Sequence, residues 1–154
     1  MRKTRFFGFS VTVVLILAGC STFRAMGGVT SVSRDVNVTA AGADGCAIAN
    51  DIAQVDVTNK NNANIVWNVK PASDFKFTSD GIKFVAKPGH GVPDAGQIVK
   101  TNSSDTTWTV HDKNTQAGRF GYEVNVVRKA GGTPCKLDPT IFNDGTCDPS
   151  SGPC

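Results

Sequence analysis

The chain has 154 residues, 40% of them hydrophobic, with 16 Lys or Arg, 13 Asp or Glu and a formal net charge of +3. That composition excludes a disordered polyelectrolyte. With no run of Lys or Arg longer than two, it also excludes the basic stripe of a nucleic-acid reader.

In chain order, the first element is a leader. Arg2, Lys3 and Arg5 form a cationic start, and Phe6–Gly19 is a mostly apolar run of 14 residues. This is the layout of an export signal, and it is short for a bilayer crossing, which takes about 20 apolar residues. Residues 1–19 are therefore expected to be a signal peptide. Three of the 16 basic residues lie in it, so the remaining 135 residues carry 13 basic and 13 acidic side chains. The basic character belongs to the leader, and no nucleic-acid partner is expected of the mature chain.

The leader ends in Leu17-Ala18-Gly19-Cys20. This box, directly after the apolar run and basic start, resembles the lipobox of bacterial lipoproteins. The resemblance covers residues 1–21. It implies a diacylglyceryl group on the Cys20 thiol, cleavage just before Cys20, and acylation of the new amino terminus. Ser21 stands at the family's sorting position, where aspartate retains the protein in the inner membrane. The resemblance thus implies a cell envelope protein held at the outer membrane through Cys20. Each buried lipid CH₂ contributes about 0.8 kcal/mol, so two or three chains on one cysteine hold essentially permanently. Residues 20–31, with small polar residues and the pair Gly27-Gly28, are expected to be a lipidated tether.

From residue 32 the apolar positions alternate, the period of strands with one wet face. Val32, Val36 and Val38 mark the first. The second half of Cys46–Thr58 carries Val55 and Val57. Ile65, Trp67 and Val69 share one face in NIVWNVKP, which Pro71 ends. Phe75 and Phe77, then Asp80-Gly81, then Ile82 and Phe84 predict a hairpin. KPGHGVPDAG is a loop, Ile98 and Trp108/Val110 mark two further strands, and Phe120, Tyr122, Val124 and Val126 give the longest alternation. About eight short strands and almost no helical pattern predict an all-β, antiparallel β-sandwich over residues 32–134, with both tryptophans in the core. Tyr122 near the start of a late strand is similar to the tyrosine corner of immunoglobulin-like sandwiches. The arrangement loosely resembles immunoglobulin-type or cupredoxin-type sandwiches.

Besides Cys20 the cysteines are Cys46, Cys135, Cys147 and Cys154, an even number that in an exported chain predicts two disulfides. Cys46–Cys135 with Cys147–Cys154 is favoured, because it clamps an early segment to the end of the domain and closes a polar loop. Cys135–Cys147 with Cys46–Cys154 is the alternative. Residues 135–154 are expected to pack on the domain, with Phe142 closing an edge.

Catalytic chemistry is hard to place. There is no nucleophile elbow, Glu123 is the sole glutamate, and His111 and Asp112 are adjacent, which points them apart on a strand. No catalytic residue, cofactor or metal-ligand set is assigned. Two alternatives remain on particular residues. His90, His111 and a cysteine could imitate a copper site. Asp138, Asn143, Asp144 and Asp148 could gather around calcium. A hydrolase built on one of the histidines is the remaining alternative. The leading expectation is a lipid-anchored envelope protein with a structural role, or a role binding an envelope protein or polymer.

Overall fold

Strict alternation at Ala63–Lys70 shows how the chain builds its layers. Ala63, Ile65, Trp67 and Val69 are buried, while Asn64, Val66 and Asn68 face outward. The computed structural model describes residues 29–41, 45–58 and 62–146. The leader, Cys20, Cys147, Asp148 and Cys154 lie outside the described residues.

Among the described residues ten strands follow one another: β1 (Thr30–Ala41), β2 (Gly45–Ile48), β3 (Gln54–Val57), β4 (Ala63–Lys70), β5 (Phe75–Phe84), β6 (Ile98–Ser103), β7 (Thr107–Asp112), β8 (Gly118–Arg128), β9 (Cys135–Leu137) and β10 (Thr140–Asn143). The first sheet has the order β2-β1-β4-β7-β6. The second has the order β3-β10-β8-β5, and β9 also pairs with β8. The chain is thus an all-β sandwich. The aromatic and aliphatic residues expected in the core, Trp67, Trp108, Tyr122, Val124 and Val126 among them, fill the space between the sheets.

Three features differ from simple alternation. Both sheets are mixed: β1 runs parallel to β4, with Val32 opposite Ile65, and β3 runs parallel to β10, with Val55 opposite Ile141. The parallel pairing arises because β3 crosses to the second sheet and brings the chain back to the end where β1 began, so β4 starts beside Thr30. Asp80-Gly81 is not a hairpin turn. It is a bulge inside one strand, β5, which pairs with β8 on both sides of it, Phe77 with Val126 and Ile82 with Val124. Asn125 Nδ2 donates to Asp80 O at 3.1 Å and pins the bulge. A Cβ on Gly81 would lie 2.8 Å from the Phe77 Cβ, so this glycine serves close packing. Finally, residues 135–143 are part of the second sheet: β9 and β10 pair with opposite halves of β8.

The sandwich has two distinct ends. Thr30, Ala63 and Asp112 of the first sheet and Val57 and Asn143 of the second lie at the end where the chain enters. Near the other end, Cys46 on β2 is joined to Cys135 on β9, with a Cα–Cα distance of 5.5 Å. This disulfide staples an edge strand of one sheet to one of the other. It selects the first of the two pairings considered for Cys46 and Cys135. Closing 89 residues of sequence separation removes freedom from the unfolded chain, a contribution of about 2–5 kcal/mol.

Candidate functional site

Polar side chains meet inside the sandwich at two places. At its centre Trp67 of β4 donates its Nε1–H to the Tyr122 hydroxyl of β8 at 3.2 Å, and the rings tilt together at 5.4 Å between centroids. Both are fully buried, and burial pushes the Tyr122 phenol well above its ordinary range. Tyr122 sits within β8 and bonds a side chain of the facing sheet, which differs from a tyrosine corner bonding nearby backbone. This is core architecture. Neither ring is offered to a ligand.

The second place is the end where β1 begins. Alternation along β7 turns Trp108, Val110 and Asp112 inward together. Asp112 is 0% exposed. Its Oδ1 accepts three hydrogen bonds, from Gln97 Nε2 at 3.0 Å, the Asn114 backbone N–H at 2.8 Å and Asn143 Nδ2 at 3.0 Å. Asn114 holds a left-handed backbone, φ 51°, which asparagine tolerates because its short amide bonds locally. That amide donates to Asp144 Oδ1 at 2.8 Å and Thr146 Oγ1 at 3.1 Å, and its oxygen accepts from the Gly145 backbone. Gln97 is further held by Thr115, whose hydroxyl donates to Gln97 Oε1. Three segments of the chain, around Gln97, Asp112–Thr115 and Asn143–Thr146, thus meet at one carboxyl. Desolvation raises the Asp112 pKa above the ordinary carboxylate value, against the three hydrogen bonds and the His111 charge, which lower it.

The histidines do not join this cluster. His90 Nδ1 lies 2.9 Å from the Pro88 carbonyl, so it donates, and Nε2 accepts from the Thr140 hydroxyl at 3.2 Å. His111 Nδ1 lies 3.0 Å from Asn64 Oδ1 on the outer face of the first sheet, opposite the side Asp112 faces. Each histidine therefore bonds neutral groups and not a serine–aspartate pair. Cys46 and Cys135 share a disulfide and have no thiolate to offer copper. Of the residues considered for calcium, the three that are described have other partners. Asp138 lies 3.8 Å from both Lys87 and Lys136, Asn143 bonds Asp112, and Asp144 bonds Asn114 and Thr146. Among the described residues no group of three or more His, Cys, Asp or Glu could hold a metal ion.

Lys87 is the anchor of the loop that carries His90. Its ammonium donates to the Tyr122 carbonyl at 3.0 Å and the Pro139 carbonyl at 3.1 Å. Burial lowers its pKa, and the Asp138 and Glu123 charges partly offset that. Lys136 donates to Glu123 Oε1 at 2.6 Å, a hydrogen bond that holds the Glu123 carboxyl below its ordinary value. This chain of charges ties the loop to β8 and the β9–β10 link.

The surface carries several grooves, and two of them lie at separate places on the sandwich. One, of about 310 Å³, lies at the lateral edge formed by β5 and β6, where Ile82 and Trp108 form the floor and Lys83 and Lys100 the rim. Lys100 Nζ sits 4.9 Å over the Trp108 ring and covers it. The other, of about 610 Å³, is at the end remote from Thr30, between Val38–Ala40, Pro71–Phe75 and Arg128–Ala130. Phe142 is half-buried beneath the Arg119 guanidinium, 6.0 Å from its ring centroid, so it neither closes an edge fully nor stands free.

In the sequence, Asp112 stands out only as the neighbour of His111. The signal for its buried position was present, since an aspartate two positions after Val110 and four after Trp108 shares their inward face. The chain matches no protein-family model, and no curated protein matches it.

Proposed function

We propose that this chain is a bacterial envelope lipoprotein, anchored at the outer membrane through acylated Cys20, whose sandwich serves as a structural or binding module for an envelope protein or polymer. The observation that carries the reading is the lipobox Leu17-Ala18-Gly19-Cys20 placed directly behind a basic start and an apolar run. The Cys46–Cys135 disulfide supports it, because such bonds persist in oxidising, extracytoplasmic compartments.

With an anchor at Cys20, the position of Thr30 at the start of β1 favours one orientation of the module. β1 begins at Thr30, so the nine residues Ser21–Val29 separate Cys20 from the domain, a reach of at most about 30 Å. The end bearing Asp112 and Asn143 is the membrane-proximal one. The 12 residues of β1 lead away from it, a rise of about 40 Å. The remote rim, with its groove between Pro71–Phe75 and Arg128–Ala130, is the part best placed to meet a partner away from the lipid surface.

The test is Cys20→Ser in the full chain, followed by detergent phase partition of envelope fractions. The wild-type protein is expected in the detergent phase and the variant in the aqueous phase. A variant that still partitions into detergent would refute the anchor.

A further inference from the structure

The Asp112 cluster leaves an imbalance. All three donors converge on one carboxylate oxygen, Oδ1. Among the described residues the other oxygen, Oδ2, has no hydrogen-bond donor although it is buried, and neither does Oδ1 of Asn143, a residue only 1% exposed. The two orphan atoms are both acceptors. They belong to the two side chains that are already joined through their other atoms, Asn143 Nδ2 to Asp112 Oδ1 at 3.0 Å. A buried carboxylate oxygen facing no donor costs several kcal/mol by order of magnitude. A single hydrogen atom shared between the two would remove both deficits at once.

We propose that the Asp112 carboxyl is held protonated, its Oδ2–H donated to Asn143 Oδ1, so that a shared proton closes a two-bond acid–amide ring between the sheets and latches the C-terminal strand. The asymmetry of the existing bonds is what a neutral acid requires: its carbonyl oxygen accepts and its hydroxyl donates. Asp112 ends β7 of the first sheet and Asn143 ends β10 of the second. The same cluster holds the Asp144–Thr146 turn through Asn114. Raising the pH gives the Oδ2 proton to water and sets a carboxylate oxygen against an amide oxygen, and the latch opens. The direction of the Asp112 shift agrees with this.

Other ionisable side chains lie on the elements packed around Asp112. They are His111 and Lys113 on and just beyond β7, Asp94 on the turn that leads to Gln97, and Asp144 after β10. The nearest facing residues of β3 and β4, Val57 and Ala63, carry no charge. Lys60, in the β3–β4 connection, lies outside the described residues.

The sign is fixed by linkage. A carboxyl with a raised folded-state pKa contributes stability that is full below its unfolded value, about 3.9, and is lost as pH rises through the folded value. The experiment compares melting temperature against pH, from about 4 to 9, for the wild type and Asp112→Asn. The amide of that variant keeps the accepting oxygen and supplies a permanent donor toward Asn143. The wild-type melting temperature is expected to fall relative to the variant by several degrees as pH rises, with hydrogen exchange at Asn143–Thr146 increasing beyond its intrinsic pH dependence. Superimposable profiles would overturn the proposal, and so would a calcium-dependent rise in melting temperature that the variant lacks, since a cation would then occupy Oδ2. Should Asp112→Asn fail to fold, carbon NMR of the wild-type Asp112 carboxyl decides. Titration above the ordinary carboxylate range supports the latch, and titration at or below it, as a salt bridge with Lys60 would produce, refutes it.

Discussion

The two ends of the sandwich are closed by different chemistry. At the end remote from Thr30, Cys46 and Cys135 join β2 to β9 covalently. At the end where β1 begins, Asp112 and Asn143 join β7 to β10 through a hydrogen bond between buried side chains. Both devices cross from one sheet to the other, and both secure the late strands that complete the second sheet. A disulfide is indifferent to modest pH changes and sensitive to reductant. A buried acid–amide pair has the opposite sensitivities. The difference teaches that one fold can divide the task of holding its C-terminal strands between a redox-dependent and a proton-dependent closure. The oxidising compartment expected of an exported chain supports the first.

The comparison can be broken from either side. The largest effect is expected from Cys46→Ala with Cys135→Ala, which should lower stability by about 2–5 kcal/mol in denaturant unfolding. The pH dependence assigned to Asp112 should survive in that double variant. Asp112→Ala comes next. It strands the Gln97, Asn114 and Asn143 donors, at about 2–3 kcal/mol after water partly relieves them. Its loss of melting temperature on adding reductant should match that of the wild type. If removing either closure abolished the sensitivity of the other, the two ends would be one cooperative device and the comparison would fail. The smallest effect is expected at the centre between them. Tyr122→Phe leaves the Trp67 indole N–H without its partner, a cost of about 1–2 kcal/mol. It should shift the denaturation midpoint without altering either the pH or the reductant response.

Which parts of this architecture could be read from the chain follows from the range of the forces involved. Ile65, Trp67 and Val69, and Phe120 through Val126, alternate within one strand, so their inward face was legible. The same parity placed Asp112 inside, two residues beyond Val110. Its partners were not legible, because Gln97 and Asn143 reach it from 15 residues before and 31 residues after. Asp80-Gly81 carries a local turn signal, yet β8 offers pairing partners on both sides of it, and the long ladder overrides the local preference. Parallel pairing of β1 with β4 leaves no mark in alternation, which says which face is wet and nothing about direction. Strands as short as β9 and β10, of three and four residues, fall below the length at which a period can be read.

The orientation proposed for both ends with respect to a membrane depends on the anchor proposed at Cys20. Mass spectrometry of the mature protein isolated from envelopes tests it directly. The account predicts an amino-terminal peptide beginning at Cys20 and carrying a diacylglyceryl group on its sulfur. An unmodified terminus at another residue, on a protein recovered from the soluble fraction, would contradict it.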